Sequence, residues 1–156
     1  MKLKVKKLHP DAILPVYATP GAACFDIHAL TVNDMHQIGS HADFGEPVLC
    51  TTGLAFEIPT GHVMLVFSRS GHGFKHGVRL ANCVGVIDSD FRGELMVKLT
   101  QDFITDKCLD QLCTFIKPGE RIAQAMIVPI PQVELELVDE LTSTERGTGG
   151  LGSTGA

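Results

Sequence analysis

Apolar residues in this chain recur at every second position or in short solid runs, and no stretch carries the spacing of an amphipathic helix over three turns. That periodicity confines the fold to sheets. The segments VELEL and LMVKL alternate as half-buried antiparallel strands do, with one face toward a core and the other toward water. The pattern predicts strands over Lys2–Leu8, Val48–Thr51, Leu54–Ile58, His62–Ser68, Val78–Leu80, Gly93–Leu99, Cys113–Ile116, Arg121–Val128 and Val133–Val138. Gly, Pro, Asn and Asp punctuate nearly all of the gaps, and Gly73–Gly77 has room for one helical turn at most. A chain of 156 residues, 44% of them hydrophobic, suffices for one domain. A single open sheet would leave its apolar face and edges bare, so two closed sheets, a sandwich or jelly roll, are the economical arrangement. Asn33–Glu46 and Gln101–Leu112 read as polar surface excursions, the second with some helical character in TDKCLDQL.

The formal net charge of −5 opposes general binding to nucleic acid or to an anionic membrane. No apolar run approaches the roughly 18 residues of a membrane span, and the lysines of MKLKVKKLHP are followed by no signal-peptide core, which predicts a cytoplasmic protein. Five scattered cysteines without a CxxC argue against a disulfide framework, and no histidine pairs with Cys108 and Cys113 at a zinc-finger spacing.

Three clusters carry chemistry. The segment Arg146–Gly155, RGTGGLGSTG, holds five glycines, one arginine and the hydroxyls of Thr148, Ser153 and Thr154. It lacks the lysine of a Walker loop, yet glycine backbone amides, hydroxyl donors and a forked guanidinium together suit a polyphosphate. Without apolar anchors such a segment orders only around an anion and can act as a lid, the alternative being an idle disordered end. The second cluster, Ser68-Arg69-Ser70-Gly71, follows the apolar strand HVMLVF and can aim backbone and side-chain donors at one anion. The third, LANCVGVIDSDFRGEL over 80–95, has the pattern of a strand, a tight turn and a returning strand, a hairpin able to form a pocket. Its Asp88 and Asp90 serve either as turn caps or, for a carboxylate set among Val86, Ile87 and Phe91, as a general base beside a water.

In this order the clusters resemble the five motifs of the trimeric dUTPases, from about Tyr17 to Gly155: ACFDIHA (23–29), Arg69-Ser70-Gly71, Asn82 through Glu94, GERIAQ (119–124), and Arg146 through Gly155. The resemblance implies an all-β jelly roll of the β-clip type with little helix. It also implies a body over 1–138 and a flexible glycine-rich arm over 139–156 that closes on the nucleotide. The implied reaction is hydrolysis of dUTP to dUMP and pyrophosphate, with Asp88 as the base that activates water for attack on the α-phosphorus. By the same resemblance Asn82, Val86, Ile87 and Met96 frame uracil and Phe91, where tyrosine is usual, packs on the deoxyribose. Arg69, Ser70, Gly71 and Gln124 hold phosphates, while Arg146, Ser153 and Thr154 belong to the arm. Mg²⁺ is the implied cofactor, carried on the phosphates with no direct protein ligand and Asp26 at most in its outer shell. The implied assembly is a homotrimer in which each site draws on three subunits.

Three positions depart from the family pattern: Cys24 stands for glycine, Ser68 for proline, and Leu151 for the phenylalanine that stacks over uracil. The related dCTP deaminases need a glutamate where this chain has Lys98, which disfavours deamination. A non-catalytic nucleotide-binding protein on the same scaffold is the remaining alternative.

Overall fold

The computed structural model describes residues 1–34, 47–102, 116–150 and 153. Ten strands and one short helix follow in the order β1 (Lys4–Lys7), β2 (Val16–Tyr17), β3 (Phe25–His28), β4 (Thr31–Asp34), β5 (Val48–Glu57), β6 (His62–Phe67), α1 (Ser70–His76), β7 (Val78–Leu80), β8 (Val84–Ile87), β9 (Glu94–Gln101) and β10 (Arg121–Pro129). They form two five-stranded antiparallel sheets, one ordered β1-β5-β9-β7 with β4 also on β5, the other ordered β2-β3-β10-β6-β8. The sheets face each other as the period-two pattern requires. Ile27, Met64, Val66, Ile122 and Ala125 from one sheet meet Val48, Cys50, Leu54, Val97 and Leu99 from the other in a single buried cluster.

The expected strands over Val48–Thr51 and Leu54–Ile58 are one strand broken in register rather than in chain. The ladder between β5 and β9 slips between Thr51 and Ala55. Gly53 sits in the slip at φ 65°, where an added Cβ would lie 2.8 Å from Leu30 Cδ2 and 2.9 Å from the Ala12 Cβ. Its amide donates to Glu94 Oε1 (2.6 Å) and its carbonyl accepts from the Leu8 amide (2.8 Å), so the bulge is pinned from both sides.

Several expectations are corrected. The segment around Gly73 forms two helical turns over Ser70–His76 instead of one at most, closed by Gly77 at φ 63°. The helix buries no residue, so it left no apolar periodicity to read. The expected strand Val133–Val138 joins neither sheet, and Leu135 and Leu137 are almost wholly exposed. β8 and β9 are not the arms of a hairpin; β8 pairs with β6 and β9 with β5 and β7, in opposite sheets. β2, β3 and β4 were not expected, being short and flanked by loop-like sequence. Of Cys113–Ile116 only Ile116 is described, buried outside any strand, and residues 35–46 and 103–115 of the two polar excursions lie outside the described residues. No helix among the described residues is long and apolar enough to cross a membrane.

The Gly53 bulge yields a direct test of this packing. Gly53→Ala combines positive-φ strain with two contacts under 3.0 Å, and should destabilise the fold by about 2 kcal/mol or more, read as a lower urea midpoint at unchanged slope.

Candidate active site

The residue types picked out by the sequence gather at two places, set by the registers of the second sheet. One row runs Val16, Asp26, Gln124, Phe67, Val84 across five strands. At its β6 end the chain leaves the sheet through Ser68 and Arg69 into α1. Asp26, whose side chain is 13% exposed, receives two guanidinium groups there: Arg69 Nε at 3.3 Å from Oδ1 and Arg121 Nη1 at 3.1 Å from Oδ2. Arg69 Nη1 also donates to the Arg121 carbonyl (3.1 Å), and Gln124 Nε2 donates to the Ser68 carbonyl (2.9 Å). These bonds hold Arg69 against the sheet while its carbonyl accepts the amides of His72 and Gly73, which starts the helix. The first-turn amides of Ser70 and Gly71 then point out of the helix start, where a helix has no carbonyls to offer them. Ser68, Arg69, Ser70, Phe74 and Gln124 line an open recess of about 390 Å³ at this end.

Behind Arg69 lies a polar recess of about 420 Å³ formed by His28, His72, His76, Glu120 and Arg121. Burial is the main cause that pushes both His28 and His72 below the ordinary histidine pKa; Asp26 opposes this at His28 and Glu120 at His72, while Arg69 and Arg121 reinforce it at both. His28 Nδ1 is buried without a hydrogen-bond partner among the described residues.

The second place is apolar. Because β8 and β9 belong to opposite sheets, a cavity of about 390 Å³ opens between them, lined on one side by Asn82, Gly85 and Ile87 and on the other by Leu95, Met96 and Lys98. Among the described residues β8 is the last strand of its sheet, so every second amide and carbonyl along it points away from β6 with no described strand to take it. Cys83, at φ 64°, makes the tight entry to β8, and the Val84 amide donates to the Asn82 carbonyl (2.7 Å).

Asp88 follows β8 and its carbonyl accepts the Phe91 amide (3.2 Å), closing a four-residue turn that Arg92 braces through the carbonyls of Ser89 and Phe91. The Asp88 carboxylate is exposed, and has no ion pair among the described residues. Phe91 folds back over Gly93, where an added Cβ would lie 2.6 Å from the ring, and 44% of Phe91 stays exposed.

Asn82, Ile87 and Met96 are thus brought to one cavity, and Arg69, Ser70 and Gln124 to the other, with Gly71 beside them on α1. Val86, Asp88 and Phe91 stand exposed on the outside of the apolar cavity instead of lining it. The two groups are apart. Val84 pairs with Phe67 and Ile87 with Met64, so Asp88 and Arg69 leave opposite ends of a ladder about 10 Å long. Arg146 Nε donates only to the nearby Gly149 carbonyl (2.9 Å), and the Ser153 amide to Gly150 (3.0 Å). Thr154 and Leu151 lie outside the described residues. Sequence reasoning named GERIAQ without singling out Arg121, although a second guanidinium two ladder pairs from Asp26 is legible once β3 and β10 are known to pair.

A family model described as dUTPase matches residues 10–155. The deoxyuridine 5'-triphosphate nucleotidohydrolase of Nautilia profundicola is 45% identical over 155 residues, covering 99% of each chain. The chain belongs to the dUTPase family. Among solved structures, a variant of the Staphylococcus bacteriophage 80alpha dUTPase with dUpNHpp superposes with a TM-score of 0.80 at 29% identity, covering 99% of each chain. A variant of the phage phi11 dUTPase of S. aureus, described for its coordination of a structural Mg(II) ion, is 25% identical with a TM-score of 0.73 over 92% of this chain and 100% of that one.

Within this family frame the Ser68 departure has a visible use. Its hydroxyl accepts the Leu80 amide (2.9 Å), tying the end of β6 to β7 in the other sheet. As for a metal, no group of three or more His, Cys, Asp or Glu among the described residues is placed to hold one, and both Asp26 oxygens face arginines.

The two histidines set a pH dependence of folding. Their pKa values are lowered from 6.5 in the folded chain, so the unfolded chain takes up protons first and stability falls as pH drops below about 6.5. Urea midpoints at pH 7.5 and 5.5 should differ less for the His28→Gln, His72→Gln double variant than for the unmodified chain.

Proposed function

We propose that this chain hydrolyses dUTP to dUMP and pyrophosphate in a site assembled from several copies. One observation carries the reading: beside an apolar cavity with an open strand edge, suited to a base, Asp88 leaves one end of the β6–β8 ladder, while a recess of arginine, amides and glutamine, suited to phosphates, lies at the other. A base-side carboxylate and phosphate-binding groups that leave opposite ends of the ladder suit a nucleotide held between neighbouring subunits. The bare segment Val133–Val138 supports the same assembly, since its alternating apolar face needs a neighbour to cover it. A homotrimer meets these needs, with a body over 1–138 and an arm over 139–156 that closes on the bound nucleotide.

In this site uracil enters the cavity between β8 and β9, where the free edge of β8 offers amides and carbonyls to its polar rim and Asn82, Ile87 and Met96 frame its faces. Val86 adds apolar surface at the rim. The ring of Phe91 packs on the deoxyribose. Arg69, the amides of Ser70 and Gly71, and Gln124 from another subunit bind the phosphate oxygens, joined by Arg146, Ser153 and Thr154 of the arm. Asp88 accepts a proton from a water whose oxygen attacks the α-phosphorus; the bond to the bridging oxygen breaks and pyrophosphate departs. Mg²⁺ would supply further charge neutralisation at the phosphates, and Asp26, whose two oxygens face Arg69 and Arg121, would meet it at most through water. Cys24, Cys50 and Cys83 are free thiols, which suits work in the reducing cytoplasm.

Pyrophosphate release from dUTP with Mg²⁺ tests the activity, and Asp88→Asn should lower turnover by about a hundredfold or more with nucleotide binding largely kept. Unchanged turnover would remove Asp88 from the role of base. Co-assembling Asp88→Asn with a chain truncated after Val138 should restore activity, because a mixed trimer can take an intact Asp88 and an intact arm from different subunits. No restoration, together with a monomeric sedimentation mass, would refute the shared site.

A further inference from the structure

Lys98 has no part in the functional reading above, yet it lines the apolar cavity between β8 and β9. Along β9 the burial alternates, with Leu95, Val97 and Leu99 buried in the core and Met96 and Lys98 exposed on the other face. Lys98 therefore projects from the same face of the strand as Met96, one pleat further along. Its backbone fixes its place. The Lys98 carbonyl accepts the Ala81 amide (2.9 Å), which sets it next to Asn82, and its cross-strand neighbour on β5 is the apolar Leu49. Leu49, Val66, Leu80, Ala81, Gly85 and Ile87 offer the cavity no side-chain charge, and among the described residues lining it Lys98 carries the one charged side chain. No ion pair occupies that ammonium among the described residues.

We propose that Lys98 is a specificity-determining residue that selects a pyrimidine with a keto oxygen at C4 over one with an amino group there. The inference rests on the cavity being the base site. An ammonium has three donors and no acceptor. The keto oxygen of uracil can accept from it, whereas the amino group of cytosine at the same place turns a donor toward a donor and leaves both unpaired in a largely apolar cavity. Leu49, its cross-strand neighbour, offers the ammonium no side-chain acceptor, so a keto oxygen entering the cavity can take one of its donors in place of solvent. Lys98 does not line the recess of Arg69 and is not needed to explain phosphate binding.

The test is calorimetric binding of dUMP and dCMP to the full-length assembled protein, with Lys98→Met, which keeps length and loses charge, and Lys98→Arg, which keeps donors. The preference for dUMP over dCMP should fall by about tenfold or more in Lys98→Met and be largely retained in Lys98→Arg, with melting temperatures unchanged. An unaltered preference in Lys98→Met would overturn the inference. So would equal weakening of both nucleotides, which would mark the lysine as a general attractor of anions. Failure of the unmodified protein to bind dUMP would instead overturn the base-site reading itself, and the assignment of Lys98 with it.

Discussion

The placement of β8 and β9 in opposite sheets is the constraint on which the rest of the site depends. Had the two strands paired, their backbone groups would have satisfied one another and closed the space between them. Apart, they leave a cavity, a free strand edge on β8, and a turn at Asp88–Phe91 that bridges the sheets. An edge strand is normally a liability for aggregation. Here it is short, four residues, and it sits at the mouth of a cavity where a base with alternating donors and acceptors can meet it. The same geometry sends Asp88 away from Arg69, and the proposed sharing of the site between copies starts from how the chain crosses between its sheets.

Electrostatics then decides how an acidic protein can host a triphosphate. The charge of the whole molecule, −5, repels it, but a site responds to the charges within a Debye length or so. At the start of α1 two guanidinium groups converge on one carboxylate. Asp26 prevents Arg69 and Arg121 from repelling each other apart and fixes the fork of Arg69 against the sheet. A guanidinium held this way loses little conformational freedom when a phosphate arrives, which is worth more to binding than a second mobile cation.

Much of this was legible in the sequence, and what was not has specific physical causes. The strands with strong alternation or solid apolar runs, β6, β7, β9 and β10, were read to within two residues at each end. β2 and β4 were missed because short strands on sheet margins bury too little to leave a pattern; β2 is exposed on both residues. Helix α1 was underestimated for the converse reason, since a helix that buries nothing is held by Gly77 and its neighbours rather than by a stripe. The apparent hairpin was misread because turn chemistry at Asp88–Gly93 specifies that the chain reverses, not which sheet it reverses into. Several of the residues named from motif order do lie together, Asn82, Ile87 and Met96 at one cavity and Arg69, Ser70 and Gln124 at another, but motif order did not show that Asp88 and Arg69 would be on opposite ends of one ladder.

That opposition also bears on the arm. The described residues beyond Pro129 make no strand, and among them the bonds of Arg146, Gly147 and Gly149 are confined to their own turn. Ordering ten such residues costs about 10 kcal/mol or more in backbone entropy, most at the glycines, and Leu151 is the one sizeable apolar side chain in Arg146–Gly155. Hydrophobic contact with the base therefore offsets only a small part of the cost. In the proposed closure the remainder would fall to charge-assisted bonds with phosphate oxygens, so that closure would follow the triphosphate more than the uracil. On the proposed reaction this has a kinetic corollary: once the bond to pyrophosphate is broken, the groups that held the arm closed are no longer joined to dUMP. Reopening then accompanies loss of pyrophosphate, and the nucleoside monophosphate leaves a site that has already lost its cover.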